Sequence, residues 1–126
     1  MQFNFESEEP LYRQVAQQIE QAIFLGSFVP GKQIPSTTEV SREFKINPAT
    51  VLKGMNQLVA EHLIQKRRGR GMFVLDDAPK KIRHKRQAEF FQNYIVNMVK
   101  EAQNLHLSKK AVLSLVEKGF DDGNKA

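Results

Sequence analysis

From Lys66 to Gly71 the chain reads KRRGRG, with Lys66, Arg67, Arg68 and Arg70 set around Gly69 and followed at once by the apolar run Met72–Leu75. Cations this dense cannot fold inward, because an unpaired buried charge costs far more than it returns. They face water or a partner. Toward a nucleic acid they have two tasks available: neutralising phosphate, which carries no sequence information, and entering a minor groove, which reads its width. Gly69 lets the backbone come close.

Two further groups lie upstream. Asn47-Pro48 is an N-cap followed by a proline at the first helical position, so a helix opens there with Ala49, Thr50 and Lys53 in its first turns. The free N–H groups and positive dipole end of such a helix favour phosphate. Thr50 can donate to phosphate or base, Lys53 reaches the same side one turn on, and Ala49 is small enough to touch a thymine methyl. Asn47 is open to both capping and contact. Ser36-Thr37-Thr38-Glu39 has the serine–glutamate spacing of a capping box. Ser36 and Thr37 there, with Thr38 beside them, are placed to anchor a phosphate on the same N–H array.

Catalysis finds little to work with. His62, His84 and His106 lack acidic or hydroxyl partners at a useful spacing and lack metal-ligand spacing among themselves. There is no cysteine, hence no disulfide, thiolate zinc site or cysteine nucleophile. GKQIPS lacks the earlier glycine of a phosphate-cradling Walker loop. Neither enzyme activity nor a metal or cofactor is expected.

The elements that position these groups follow from periodicity. Leu11, Val15, Ile19 and Ile23 recur along a helix that begins after Pro10 and stops at Gly26. PGKQIP is a linker. The capping box opens a short helix with Val40 and Phe44 on its apolar face, ending by Ile46. The helix after Asn47 buries Val51, Leu52, Met55, Leu58 and Val59 and ends near His62. Leu63–Lys66 and Met72–Leu75 read as paired strands with RRGRG at the tip. The order is that of a winged helix-turn-helix: a helix-turn-helix at about 36–61, a wing at about 63–75, and a DNA-binding domain over 1–75. The fold class is mainly α with a small β-ribbon.

Residues 76–126 form a helical segment. One helix is expected from Lys80 to about Asn104, and a shorter one, capped by Ser108, from Lys109 to Lys118, stopped by Gly119 and followed by a loose tail. Phe90, Phe91, Tyr94, Ile95, Met98 and Leu105, with Val112, Leu115 and Val116 from the second helix, give an apolar surface larger than the short helix can cover. A homodimer through this segment follows, its two-fold symmetry suiting a palindromic operator. Its rival is a stripe folded back on the first domain. Two helices leave little room for a pocket of roughly 300 Å³ or more, so a small-molecule effector is not indicated, though a cleft at the dimer interface could hold one.

The 126 residues carry 19 Lys and Arg against 14 Asp and Glu, a net charge of +5. Besides the wing, Lys80, Lys81, Arg83, Lys85 and Arg86 cluster at the start of the long helix, where cations oppose the dipole. They are either phosphate-facing or a solvated linker. The N-terminal MQFNFESEEP has neither a basic start nor an apolar run, and no segment approaches a bilayer span. The expectation is a cytoplasmic protein without membrane contact.

PLYRQVAQQIEQAIFLGSFVPGKQIPSTTEV, followed by NPATVLKGMNQLVAEHLIQKRRGRGMFV, resembles the GntR family of bacterial transcription regulators. The Pro-Leu-Tyr start, the Pro-Gly before Ile-Pro-Ser, the Asn-Pro-x-Thr-Val and the Arg-x-Gly-x-Gly-x-Phe-Val wing carry the likeness. The short two-helix tail is similar to the YtrA subfamily. This implies a dimeric repressor of double-stranded DNA operators, often controlling ABC transporter genes. Thr38 stands where the family usually carries a DNA-contacting arginine, and Lys53 where arginine is common. The alternative function is a winged-helix protein-interaction module that does not touch DNA.

Overall fold

The computed structural model describes residues 1–124, and contacts divide the chain between Lys85 and Arg86 into two compact units. The first contains α1 (Leu11–Leu25), α2 (Thr37–Phe44), α3 (Pro48–Ala60) and the antiparallel pair β1 (Ile64–Arg67) and β2 (Gly71–Val74). In the ribbon Ile64 faces Val74 and Arg67 faces Gly71. Helix α4 (Ala78–Phe90) follows.

The caps form where the sequence puts them. Gly26, at φ 86°, ends α1 in the left-handed conformation. Val15, Ala16, Ile19 and Ile23 bury one face of α1 against Val51, Met55 and Leu58 of α3, with Val40 of α2 in the same cluster. On α3 the inward stripe is Val51, Gly54, Met55 and Leu58. Leu52, expected inside, falls outside that stripe and is 41% exposed, and Val59 is only half-buried. Gly54 holds the inward position between them because α1 is too close for a side chain: a Cβ there would lie 2.6 Å from the Tyr12 carbonyl oxygen.

The linker is more than a linker. Gly31 N–H donates to the Val74 carbonyl (2.8 Å), Val74 N–H to Lys32 (3.0 Å) and Ile34 N–H to Met72 (2.9 Å), so Gly31–Ile34 lies along β2 as a short third rung. The N-terminal segment is also tied down. Buried Gln14 donates to the Asn4 and Glu9 carbonyls, each at 2.9 Å, and accepts from Asn4 N–H at 2.8 Å; Phe3 meets Phe44 edge-on.

Helix α4 begins at Ala78, before the expected Lys80, with Pro79 in a first turn whose N–H needs no helical partner. Ala78 and Ile82 are fully buried in the first unit's core, which therefore extends past Leu75. Lys85 Nζ lies 2.8 Å from Glu20 and 3.8 Å from Glu61, and Lys81 pairs with Asp77 at 3.4 Å.

The helical run continues through one π turn, Phe91–Ile95, into α5 (Val96–Asn104), and α6 (Lys109–Asn124) follows a turn. Ser108 caps α6, its Oγ accepting from Ala111 N–H at 3.1 Å. Gly119 does not stop this helix. It sits in open space within α6, where an interior glycine costs only about 1 kcal/mol relative to alanine, less than abandoning the hydrogen bonds beyond it. The tail expected to be loose is thus helical through Asn124; Lys125 and Ala126 lie outside the described residues. Lys45, His62 and His106 adopt φ of 56°, 59° and 57° just after α2, α3 and α5.

Candidate nucleic-acid interface

The N-terminus of α2 is built by its box. Ser36 Oγ accepts from Glu39 N–H at 3.0 Å while Glu39 Oε1 accepts from Ser36 N–H at 3.2 Å. Thr37 and Thr38 follow with N–H groups outside that exchange, Thr38 exposed and Thr37 half-buried. A turn through Lys45 leads to α3, held by Ser41 Oγ donating to the Ile46 carbonyl at 2.6 Å. Asn47 Oδ1 accepts from Ala49 N–H at 2.8 Å, so the side chain caps. Ala49 and Lys53 are exposed and Thr50 half-buried.

Lys53 does not hang free. Its ammonium stands 4.0 Å from the centroid of the Tyr12 ring, within cation–π range. The Tyr12 hydroxyl also accepts from Arg13 Nε at 3.3 Å, which raises that guanidinium's pKa. Sequence reasoning missed Tyr12; its place in the first turn of α1, against the α3 backbone at Gly54, emerges only in three dimensions.

At the wing Arg67, Arg68, Gly69 and Arg70 are all exposed. Gly69 and Gly71 take φ of 75° and 115°, and Arg70 N–H closes the turn on the Arg67 carbonyl at 2.9 Å. The Arg67 guanidinium lies 4.2 Å from the Phe73 ring centroid, so part of its freedom is spent along the ribbon. Gln33, also missed, donates from Nε2 to the Arg70 carbonyl at 2.6 Å. Its signal was absent because a four-residue pairing between prolines is too short to show periodicity. Through Gly31–Ile34 the structure joins the wing to the α2 end, since Ser36 stands two residues beyond Ile34.

In the second unit Phe90, Phe91, Tyr94, Met98, Leu105, Leu115 and Val116 are exposed, with Phe91 at 61% and Tyr94 at 64%; Ile95 and Val112 are half-buried. The Phe90 and Tyr94 rings meet at a tilt, their centroids 5.3 Å apart. Met98, Val99, Ala102, Leu107, Val112 and Val116 line an apolar groove of about 640 Å³ between α5 and α6, larger than two helices were expected to leave. Among the described residues no helix is long and apolar enough to cross a membrane.

Comparison with known proteins accords with this geometry. The chain is 28% identical over 123 residues to the HTH-type transcriptional regulator YhcF of Bacillus subtilis, covering 98% of this chain and 99% of that one. It is 33% identical to the HTH-type transcriptional repressor YtrA of the same organism over 62% of this chain and 60% of that one. A transcriptional regulator from Oenococcus oeni shares the fold at TM-score 0.80 and 20% identity, over 94% of this chain and 97% of that one. The DNA-binding domain of AraR, solved in complex with operator ORR3, matches at TM-score 0.51 and 32% identity over 59% of this chain and 92% of that one. The first of these relatives is named a transcriptional regulator and the second a transcriptional repressor. With the model of the bacterial regulatory proteins of the gntR family matching residues 11–74, from the start of α1 to the end of the wing, the chain belongs to the GntR family of transcriptional regulators.

Proposed function

We infer that two copies of this chain bind a palindromic double-stranded operator and repress the genes beside it, an ABC transporter operon by the resemblance to short-tailed relatives. Each copy offers the α2 end (Ser36, Thr37, Thr38), the α3 start (Asn47, Ala49, Thr50, Lys53) and the wing (Arg67, Arg68, Gly69, Arg70). Asn47 acts by holding the helix end open rather than by touching DNA. The observation that carries this reading is the Gly31–Ile34 rung, the stretch leading into the α2 end, which is hydrogen-bonded to the β2 strand behind the cationic tip. A phosphate site and a groove-entering tip so joined can meet one duplex together.

Pairing of copies runs through the second unit. The exposed Phe91, Tyr94, Leu105 and Leu115, and the groove between α5 and α6, are apolar surface that a partner copy removes from water. Affinity arises mainly from phosphate neutralisation, so log K falls with log salt by about 0.9 for each phosphate contacted. The test is fluorescence anisotropy with a labelled random-sequence duplex at low salt, followed by selection of bound genomic fragments. Arg68→Ala/Arg70→Ala is expected to weaken binding and flatten the salt slope without lowering the melting temperature. Undiminished binding by that variant would contradict the wing assignment.

A further inference from the structure

We propose that Gln33 is a positioning residue for DNA binding: its side chain clasps the wing tip and pre-sets the direction of the arginines there. The proposal rests on the wing contacting DNA. The tip has reason to need holding. Gly69 within its turn and Gly71 at the start of β2 both take positive φ, and the turn is closed by a main-chain bond from Arg70 to Arg67. Glycine gives up more conformational freedom on ordering than any other residue, so an untethered tip would lose that freedom at the moment of binding.

Gln33 is placed to remove it beforehand. Its Nε2 donates to the Arg70 carbonyl at 2.6 Å, reaching 37 residues along the chain. The backbone on either side of it is pinned to β2, and Gln33 pairs across to Phe73, the residue whose ring carries Arg67. Both shoulders of the tip therefore lean on the Gln33–Phe73 pair. Gly71, a glycine at φ 115°, leaves room for the amide to cross: a Cβ there would come within 2.6 Å of Gln33 Nε2. Gln33 is itself exposed and belongs to no core cluster, so the amide serves the tip rather than the stability of the fold.

The consequence is preorganisation, in which ordering before binding leaves more of the interaction energy to appear as affinity. Gln33→Met keeps length and shape while removing the donor. Full-length wild type, Gln33→Met, Arg68→Ala/Arg70→Ala and the triple variant are compared by anisotropy on a random-sequence duplex across a salt series, with melting temperatures recorded for each. Gln33→Met is expected to bind roughly three- to ten-fold more weakly, the range that the net worth of one hydrogen bond converts to. Its melting temperature falls by a few degrees at most, the share of that bond in the fold itself, and the chain is fully folded at the assay temperature. In the Arg68→Ala/Arg70→Ala background the same substitution changes affinity less than about two-fold, because the two arginines nearest the clasped carbonyl are no longer there to be aimed. Equal losses in both backgrounds, or binding by Gln33→Met indistinguishable from wild type, would overturn the clasp while leaving the wing assignment intact. Wild-type binding by Arg68→Ala/Arg70→Ala removes both.

Discussion

Replacing Gly54 by alanine sets two known effects against each other at the closest approach of α1 and α3. In an open helix the change stabilises by about 1 kcal/mol, the propensity difference between the two residues. Here the new methyl would stand 2.6 Å from the Tyr12 carbonyl oxygen and 2.9 Å from both Cβ and Cγ1 of Val15. The first obstacle is backbone and cannot rotate away. Val15, Val51 and Met55 around it are fully buried, so relief requires the helices to part and their packing to loosen. Overpacking by a methylene or so costs typically about 1–3 kcal/mol, and a backbone obstacle puts this case toward the upper end. The net is a loss of about 1–2 kcal/mol, or roughly 5–15 °C in melting temperature for a domain of this size. Urea and thermal unfolding of the whole chain, followed by far-ultraviolet circular dichroism at one fixed protein concentration, read it directly; fixing the concentration matters for any chain that self-associates. An alanine variant as stable as wild type, or more so, would mean that helix propensity prevailed and that the two helices can move apart at little cost. Tyr12 shares this approach, so the variant should also disturb the Lys53 seat and weaken DNA binding.

Other outcomes follow from the same geometry. Ser36→Ala should cost about 1 kcal/mol of stability, as loss of an N-cap does, whereas Ser36→Asp should keep that stability yet bind duplex more weakly by placing a carboxylate on the phosphate site; denaturation and anisotropy separate the two. Leu105→Glu/Leu115→Glu should shift sedimentation toward the single chain with the melting of the winged unit unchanged, and a wild-type profile that is already monomeric at micromolar concentration would reject pairing through this surface. The wild-type salt slope should exceed that of Arg68→Ala/Arg70→Ala by about 0.9 for each phosphate that the variant no longer neutralises.

Signals within four residues of one another were legible from sequence. The Ser36–Glu39 box, the Asn47 cap with Pro48, and Gly26 each act through a local backbone geometry that residue type alone selects. The pairing of the two wing strands was legible too, because a glycine-rich tip leaves few ways to pair its flanks, though each strand lies one residue nearer the tip than Leu63–Lys66 and Met72–Leu75. What escaped depends on distant partners. Leu52 and Gly54 exchange the roles that hydrophobicity assigns them because α1 lies against α3, a fact no window on α3 contains. The Gly31–Ile34 rung, the Gln33 amide and the Tyr12 seat for Lys53 join residues far apart in sequence. Gly119 misled for the opposite reason: its local preference is real but smaller than the hydrogen bonding that carries α6 past it. Among the candidate DNA-facing residues, type and exposure were readable, while what each side chain already holds was not.

Three of the turns after helices are made by Lys45, His62 and His106, side-chain-bearing residues in a backbone region that glycine occupies at no steric cost. Each holds about 1 kcal/mol or more of avoidable strain. An engineer seeking a hardier winged-helix scaffold can therefore begin at His62 and His106, neither of them among the candidate DNA contacts. Glycine or asparagine at those two bends offers thermal tolerance without redrawing the candidate DNA-facing surface.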